Sequence, residues 1–237
     1  MNATIEPPAG DKAEDERLEL KPFLLSAVLW LPLAFFLWFA LRSVVVYPVI
    51  GLVGWVASVW LPDLVTSVGQ DYHEMIYTVR TQLGNVAGLP GSTIDVDIQV
   101  NVLPYCYSIP VLVGLSIATP ISWARTGVQL LIGLPILAVV QAFGVLGDVL
   151  KRIAFDLGPL VHSALIEAGY PAPAAEAARN AGEFGAAALV AHGVTPTLLA
   201  TWYQFGYLIL PPISAVVLWI LFNRRFIEAL RPLPRAA

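Results

Sequence analysis

Runs of about twenty residues without a single charge dominate this chain, and short stretches between them bring polar and charged residues back. A helix needs about 20 apolar residues to cross the hydrocarbon core of a bilayer. Residues 22–41, 102–120, 126–147 and 196–222 meet that requirement, and Lys21, Arg42, Arg125, Asp148 and Asn223-Arg224-Arg225 mark several of their ends. Trp30, Trp38, Tyr105, Tyr107, Trp123, Trp202, Tyr203 and Trp219 fall partly near those ends, as aromatic side chains at a membrane–water boundary do. The pattern predicts four spanning helices.

A fifth run, SVVVYPVIGLVGWVASVWLP at 43–62, is also free of charge, but it contains Pro48, Gly51 and Gly54 and follows the first run after one residue. The placement of Lys and Arg decides how it is read, because these residues accumulate on the cytoplasmic side. If 43–62 does not cross, eight of the 13 lie on the cytoplasmic side and five outside; if it crosses, the split is seven to six and the Arg-rich C-terminus lies outside. The expectation is therefore that both termini are cytoplasmic and that 43–62 lies as an interfacial or re-entrant helix on the outer face. Residues 43–101 and 148–195 are then extracytoplasmic.

The period changes at TIDVDIQVN (93–101), where Ile94, Val96, Ile98 and Val100 alternate with Asp95, Asp97 and Gln99. Such alternation is the signature of a half-buried strand. EMIYTVRTQL (74–83) supplies a partner and 84–92, with its GLPGS, a turn, so a small β-hairpin on the membrane surface is expected. Helical spacing returns at 148–170, the Ala-rich 171–195 reads as further helix, and Thr195-Pro196 has the form of an N-cap followed by proline in the first helical position. Two short surface helices are expected before the last span.

Residues 1–21, with six acidic and three basic side chains, read as a solvated cytoplasmic tail. The apolar run behind it is too long for a signal-peptide core, so an uncleaved first span is expected. No linker divides 22–237, which reads as one integral membrane domain ending in a cytoplasmic segment, 223–237. The fold class is an all-α polytopic membrane protein with about four transmembrane helices, one interfacial or re-entrant helix, a small extracytoplasmic β-hairpin and short surface helices.

Composition agrees: 57% of residues are hydrophobic and only 13% charged, against about a quarter charged in soluble domains. A net charge of -4 with no basic run argues against a nucleic-acid partner and leaves membrane lipid as the expected surroundings. The one cysteine permits neither an internal disulfide nor a cysteine-based metal site. No Asp, Glu, Lys, Arg or His lies inside the four main spans, which speaks against a pump or ion-coupled carrier. Gln141 and Gln204 are polar groups within spans and read as interhelical hydrogen-bonding residues. The three histidines show neither i, i+4 pairing nor HExxH, and there is no GxSxG or Walker A loop. No cofactor or metal is expected.

Cys106 is the one candidate nucleophile. A thiolate needs a base and a positive charge to lower its pKa. In the expected topology Cys106, Arg152 and His192 all reach the outer surface, in the order Cys, Arg, His that exosortases, membrane cysteine transpeptidases, use. The setting Tyr-Cys-Tyr-Ser-Ile-Pro lacks the small, glycine-containing surroundings of that nucleophile. The Asn-x-x-Arg pattern is also missing, its nearest match being Gln141-Ala142-Phe143-Gly144. A structural cysteine is the first reading and an exosortase-like cysteine peptidase the second.

NVLPYCYSIPVLVGLSIATP (101–120), PILAVVQAFGVLGDVLK (135–151), WYQFGYLILPPISAVVLWILFNRRF (202–226) and LWLPLAFFLWFALRS (29–43) together resemble the exosortase H-associated membrane proteins. The Tyr203-Gln204-Phe205-Gly206-Tyr207 run and Asn223-Arg224-Arg225-Phe226 are the distinctive parts. The resemblance implies a bacterial inner-membrane accessory protein without assigned catalytic residues. It would work beside exosortase H and the secreted proteins whose C-terminal sorting signals that enzyme processes. Gln141, Tyr203, Gln204, Tyr207, Asn223 and Arg224 are its candidate motif or helix-packing residues.

Overall fold

A computed structural model describes residues 9–82, 93–180 and 183–229. Helix α1 (Ala9–Ala40) is followed after Leu41 by α2 (Arg42–Trp60). Then come strands β1 (Val65–Asp71), β2 (Glu74–Gln82) and β3 (Thr93–Asn101), a 3-10 turn (Leu103–Tyr105) and α3 (Ser108–Ala118). The long α4 (Trp123–Phe155) leads to α5 (Leu157–Glu167), α6 (Ala172–Asn180) and α7 (Glu183–Ala191). The last apolar stretch is α8 (Pro196–Gln204), a π-helical turn (Phe205–Ile209) and α9 (Leu210–Phe222), before the short α10 (Arg224–Ala229).

Among the described residues, four helical stretches have the length and composition to cross a membrane: Leu20–Ala40, Arg42–Trp60, Trp123–Phe155 and Pro196–Phe222. They differ from the expected four in two places. The stretch expected to be interfacial or re-entrant forms one unbroken helix, Arg42–Trp60, through Pro48. The expected span at 102–120 is instead a 3-10 turn and the 11-residue α3, only about 16 Å long at 1.5 Å per residue. Pro104 sits at the start of the turn, and proline, which cannot donate a backbone bond, favours a helix's first turn over its interior. Part of the expected solvated tail is also helical, since α1 starts at Ala9. Helix α4 runs on past Gly147 to Phe155, and three short helices, not two, precede α8.

The contacts divide the chain into two compact units. In one (Met1–Ala40, Ser108–Pro135, Ile213–Ala237), α1 packs along α3. Gly114 makes that approach close: a Cβ there would stand 2.8 Å from a Leu31 side-chain carbon and 3.1 Å from the Leu31 Cα. Small residues at a helix crossing let backbones approach where the hydrophobic effect gives helices no reason to associate. A buried polar chain links three elements of this unit. The Gln129 amide donates to Asn223 Oδ1 (3.0 Å), Asn223 Nδ2 donates to the Trp219 carbonyl (2.9 Å), and the Trp219 indole N–H donates to Thr119 Oγ1 (2.9 Å). Phe23 stacks on Trp219 with ring centroids 5.7 Å apart.

The other unit (Leu41–Tyr107, Ile136–Pro212) holds the sheet. The expected hairpin is the β2–β3 pair, with Glu74 opposite Asn101 and Gln82 opposite Thr93; the connection at 83–92 lies outside the described residues. The alternation read in 93–101 is realised, with Val96, Ile98 and Val100 buried and Asp95, Asp97 and Gln99 exposed. A third strand, β1, joins the far side of β2 in the order β1-β2-β3. Its apolar signal is weak (VTSVGQD), and that is why sequence periodicity passes over it. A two-stranded hairpin alone is marginal, and the third strand with a buried face removes that difficulty.

The sheet's apolar face presents Met75, Tyr77, Val79, Val96, Ile98 and Val100, all buried. The Tyr77 hydroxyl donates to the Val149 carbonyl of α4 at 3.4 Å, and burial pushes its pKa well above the usual tyrosine range. The opposite face is polar. Arg80 forks onto Asp95 at 3.0 and 3.1 Å, and Thr78 donates to Asp97 at 2.7 Å. Helix α2 lies beside β1, with Gln70 Nε2 donating to the Ser43 carbonyl (2.8 Å) and Val68 packed on Gly54.

Candidate functional site

The C-terminal part of α4 reads Gly144-Val-Leu-Gly147-Asp148-Val-Leu-Lys151-Arg152. Positions 144, 147/148 and 151 share one helical face, because residues three and four apart are neighbours on a helix. That face meets the run Trp202-Tyr203-Gln204-Phe205-Gly206-Tyr207. A Cβ on Gly144 would lie 2.7 Å from the Gly206 carbonyl oxygen, and one on Gly206 would lie 2.9 Å from the Gly144 Cα. Backbone meets backbone here, so no side chain fits at either position. One turn further along, the Trp202 ring packs over Gly147, stacks on Phe143 (4.7 Å) and donates its indole N–H to the Phe143 carbonyl at 2.9 Å. Trp60 of α2 also stacks on Trp202, at 6.2 Å.

At Gly206 the α-helix widens into the π turn Phe205–Ile209. π turns inside α-helices are rare and concentrate at functional positions. Around this one, Tyr203 and Tyr207 stack in parallel with centroids 5.7 Å apart, and Tyr105 meets Tyr207 edge-on at 5.4 Å. Lys151 Nζ lies 5.0 Å from the Tyr203 ring centroid, a cation–π contact. The buried Asp148 lies 3.5 Å from Arg152 Nε, one turn along the same helix. Burying an acidic side chain is costly unless a partner compensates its lost hydration, and Arg152 is that partner. The cluster is thus a packed aromatic and ionic lock at the end of α4, with Lys151 and Arg152 half-buried at its rim.

The motif candidates fall in different places. Tyr203 and Tyr207 belong to this cluster, and Gln141 is fully buried on α4. Gln204, expected to bond another helix, is exposed at the end of α8. Its neighbours Tyr203 and Gly206, not Gln204, carry the contacts described above. Asn223 belongs to the other unit, where it is buried against Gln129, and Arg224 is exposed there. Sequence reading took Asp148, Tyr105 and Trp202 only as markers of span ends and passed over Lys151 and Gln129. For Asp148 a signal was present, since it is the first charge after an apolar run; the partners that bury it come from distant segments.

Cys106 sits in the turn before α3, outside the four helices of spanning length, and has no exposed surface. Burial pushes its thiol up to about 12, with no neighbouring cation acting on it. Arg152, its expected activator, is engaged by Asp148, and His192 stands half-buried at the end of α7 beside Gly193. Among the described residues no group of His, Cys, Asp and Glu could hold a metal ion.

The sequence profile of the exosortase H-associated membrane proteins matches residues 17–179 and 174–226. The chain belongs to that family. No curated protein and no solved structure matches it. The match covers the Gly144–Gly206 crossing, the tyrosine cluster and the Gln129–Asn223 pair, so the geometry above describes this family member's matched region. The family name states an association with exosortase H and assigns no reaction to any of these residues.

Two outcomes follow from the geometry. Gly144→Ala is expected to destabilise the detergent-solubilised protein by about 1–3 kcal/mol, because the Gly206 backbone cannot give way. Gly127→Ala on the same helix meets nothing within 4 Å and is expected to be neutral or slightly stabilising; thermal unfolding curves of the two compare them directly. Cys106 in the folded protein is expected to resist a thiolate-selective maleimide throughout pH 6–9 and to label rapidly once unfolded in dodecyl sulfate. Labelling that rises with a midpoint below pH 7 would show a cation-stabilised thiolate instead.

Proposed function

We propose that this chain is a non-catalytic inner-membrane partner of exosortase H. In this reading it packs its apolar helices against the enzyme in the bilayer and holds its sheet where secreted proteins with C-terminal sorting signals are processed. Family membership carries the reading. The helices support it: only 11% of the spanning part of Leu20–Ala40 and 17% of that in Pro196–Phe222 is buried by the chain itself. Leu25, Val28, Leu29 and Phe36 of α1 are largely exposed. Surfaces of this kind are left for lipid or for another membrane protein's helices, since no water is present to make their exposure costly.

The sheet supports an outer location for α2. Length and composition allow α2 to cross, but β1 lies beside it, tied at Ser43 and Gly54. An open sheet edge in hydrocarbon would leave backbone donors and acceptors without partners, each costing several kcal/mol, and such edges do not occur against lipid. Helix α2 therefore shares the sheet's aqueous boundary. Its exposed stripe of Val44, Tyr47, Trp55 and Val59 suits the headgroup region, where Tyr and Trp accumulate. With the shorter apolar stretch Leu103–Ala118 as the fourth crossing in place of α2, both termini are cytoplasmic, and the sheet and 148–195 lie on the other side.

Replacing the single cysteine by alanine gives a background for topology. In Cys106→Ala cells, Asp97→Cys and Ser163→Cys are expected to react with an impermeant maleimide from outside, and Arg225→Cys only after permeabilisation. Labelling of Asp97→Cys that requires permeabilisation would mean that α2 crosses. For function, deleting the protein from the native bacterium is expected to block C-terminal processing of an exosortase H substrate, while Cys106→Ala processes it normally. Loss of processing in Cys106→Ala, with the protein still present in the membrane, would make the cysteine chemical and end the non-catalytic reading.

A further inference from the structure

A groove of about 460 Å³ runs between α2 and β1. One wall is a single stripe of α2: Tyr47, Ile50, Gly51, Gly54, Trp55 and Ser58. The other wall is β1, from Val65 to Gln70 without a gap. Side chains on a strand alternate between its faces, so a cavity over one face would touch every second residue. Contact with six in succession places the groove along the strand's edge, where its backbone faces outward. Strand β1 is a terminal strand, hydrogen-bonded to β2 alone among the described strands. Its bulge lies between Val65 and Ser67, and from Ser67 to Asp71 the register with β2 is unbroken.

We propose that this groove takes up an extended, uncharged segment of an exported protein as a fourth strand beside β1. This rests on the reading that the chain assists exosortase H with secreted substrates. The two walls match in length. From Tyr47 to Ser58 the helix advances about 16 Å at 1.5 Å per residue, and from Val65 to Gln70 the strand advances about 16 Å at about 3.3 Å per residue. An extended segment of about five or six residues spans that distance. Its backbone pairs with outward N–H and C=O groups of β1 beyond Val65, whose own N–H already donates to the Leu61 carbonyl, and this is the mode of β-strand addition.

The chemistry of the lining selects the occupant. None of the residues that line the groove is Asp, Glu, Lys, Arg or His, and a charge brought in would lose its hydration without gaining a partner of opposite charge. Gly51 lowers the helical wall between Tyr47 and Trp55, where a Cβ meets nothing within 4 Å, while the Gly54 position is covered by Val68. Space for small or apolar side chains at alternate positions is therefore open opposite the strand. A lipid acyl chain would fill the same volume but leave the edge groups of β1 unmatched, so a polypeptide is the better complement.

The test uses the full chain in native membranes. A photoreactive benzophenone side chain replaces Ser58, which is exposed on the groove stripe, or, as a control, Leu131, exposed on α4. The probe is an epitope-tagged secreted substrate of exosortase H. Irradiation is expected to give a substrate adduct from position 58 and none from position 131. Gly51→Trp, which fills the groove, is expected to lower the adduct at least tenfold, while Gly51→Ala preserves it and both variants co-purify with exosortase H as the wild type does. Adducts that persist in Gly51→Trp, or that contain only lipid or a second copy of this chain, would overturn the groove assignment and leave the partnership intact. Failure of the wild type to co-purify with exosortase H would instead remove the reading on which the substrate's identity rests.

Discussion

Gly144 and Gly206 are the two positions where α4 and the last apolar stretch come so close that neither tolerates a Cβ. Much of this unit's architecture depends on that contact. It brings Trp202 over Gly147 and against Phe143. It also sets Tyr203 beneath Lys151 and gathers Tyr105 and Tyr207 beside it. In lipid, apolar side chains gain little by leaving the solvent, because the solvent is itself apolar; close packing and hydrogen bonds must hold helices together. The π turn at Phe205–Ile209 belongs to the same arrangement, since it lets Tyr203 and Tyr207 stack in parallel on the helix that carries Gly206.

A second constraint acts at the boundary with water. The sheet has one face of Met75, Tyr77, Val79, Val96, Ile98 and Val100 and one of paired polar groups such as Arg80 with Asp95. Such a two-faced object belongs neither in hydrocarbon nor alone in water. It resolves the conflict by packing its apolar face on the chain's own helices, with Tyr77 reaching Val149. Helix α2, whose buried face carries Val46, Ile50, Val53 and Ala57, lies beside β1 and turns Tyr47 and Trp55 outward.

The fully buried thiol of Cys106 shows how strongly environment decides chemistry. The same residue type near a cation at a surface would be a nucleophile; removed from water, with Arg152 committed to Asp148, it is held as the neutral thiol. The family's name agrees with a role through association, and the exposed apolar faces of α1 and of Pro196–Phe222 are where association in the bilayer would take place.

Much was legible in the sequence because it rests on local composition and period. The membrane class follows from charge-free runs, the β3 alternation from a period of two, and the family from the YQFGY and NRRF runs. Other features depend on segments far apart in the chain. Strand β1 has too little apolar content to announce itself and exists because β2 offers an edge. Gln129 and Asn223 are 94 residues apart, and each is an ordinary polar residue until the fold buries them together. Gln204 and Gly206 look equally notable in the motif, yet Gly206 packs backbone on backbone and Gln204 is exposed. Residues 43–62 have the composition of a spanning helix, and only the tertiary structure shows the strand β1 packed beside them. Hydropathy and periodicity report what each segment prefers as a solvent; which segment will bury a given polar or missing side chain is settled by tertiary contact.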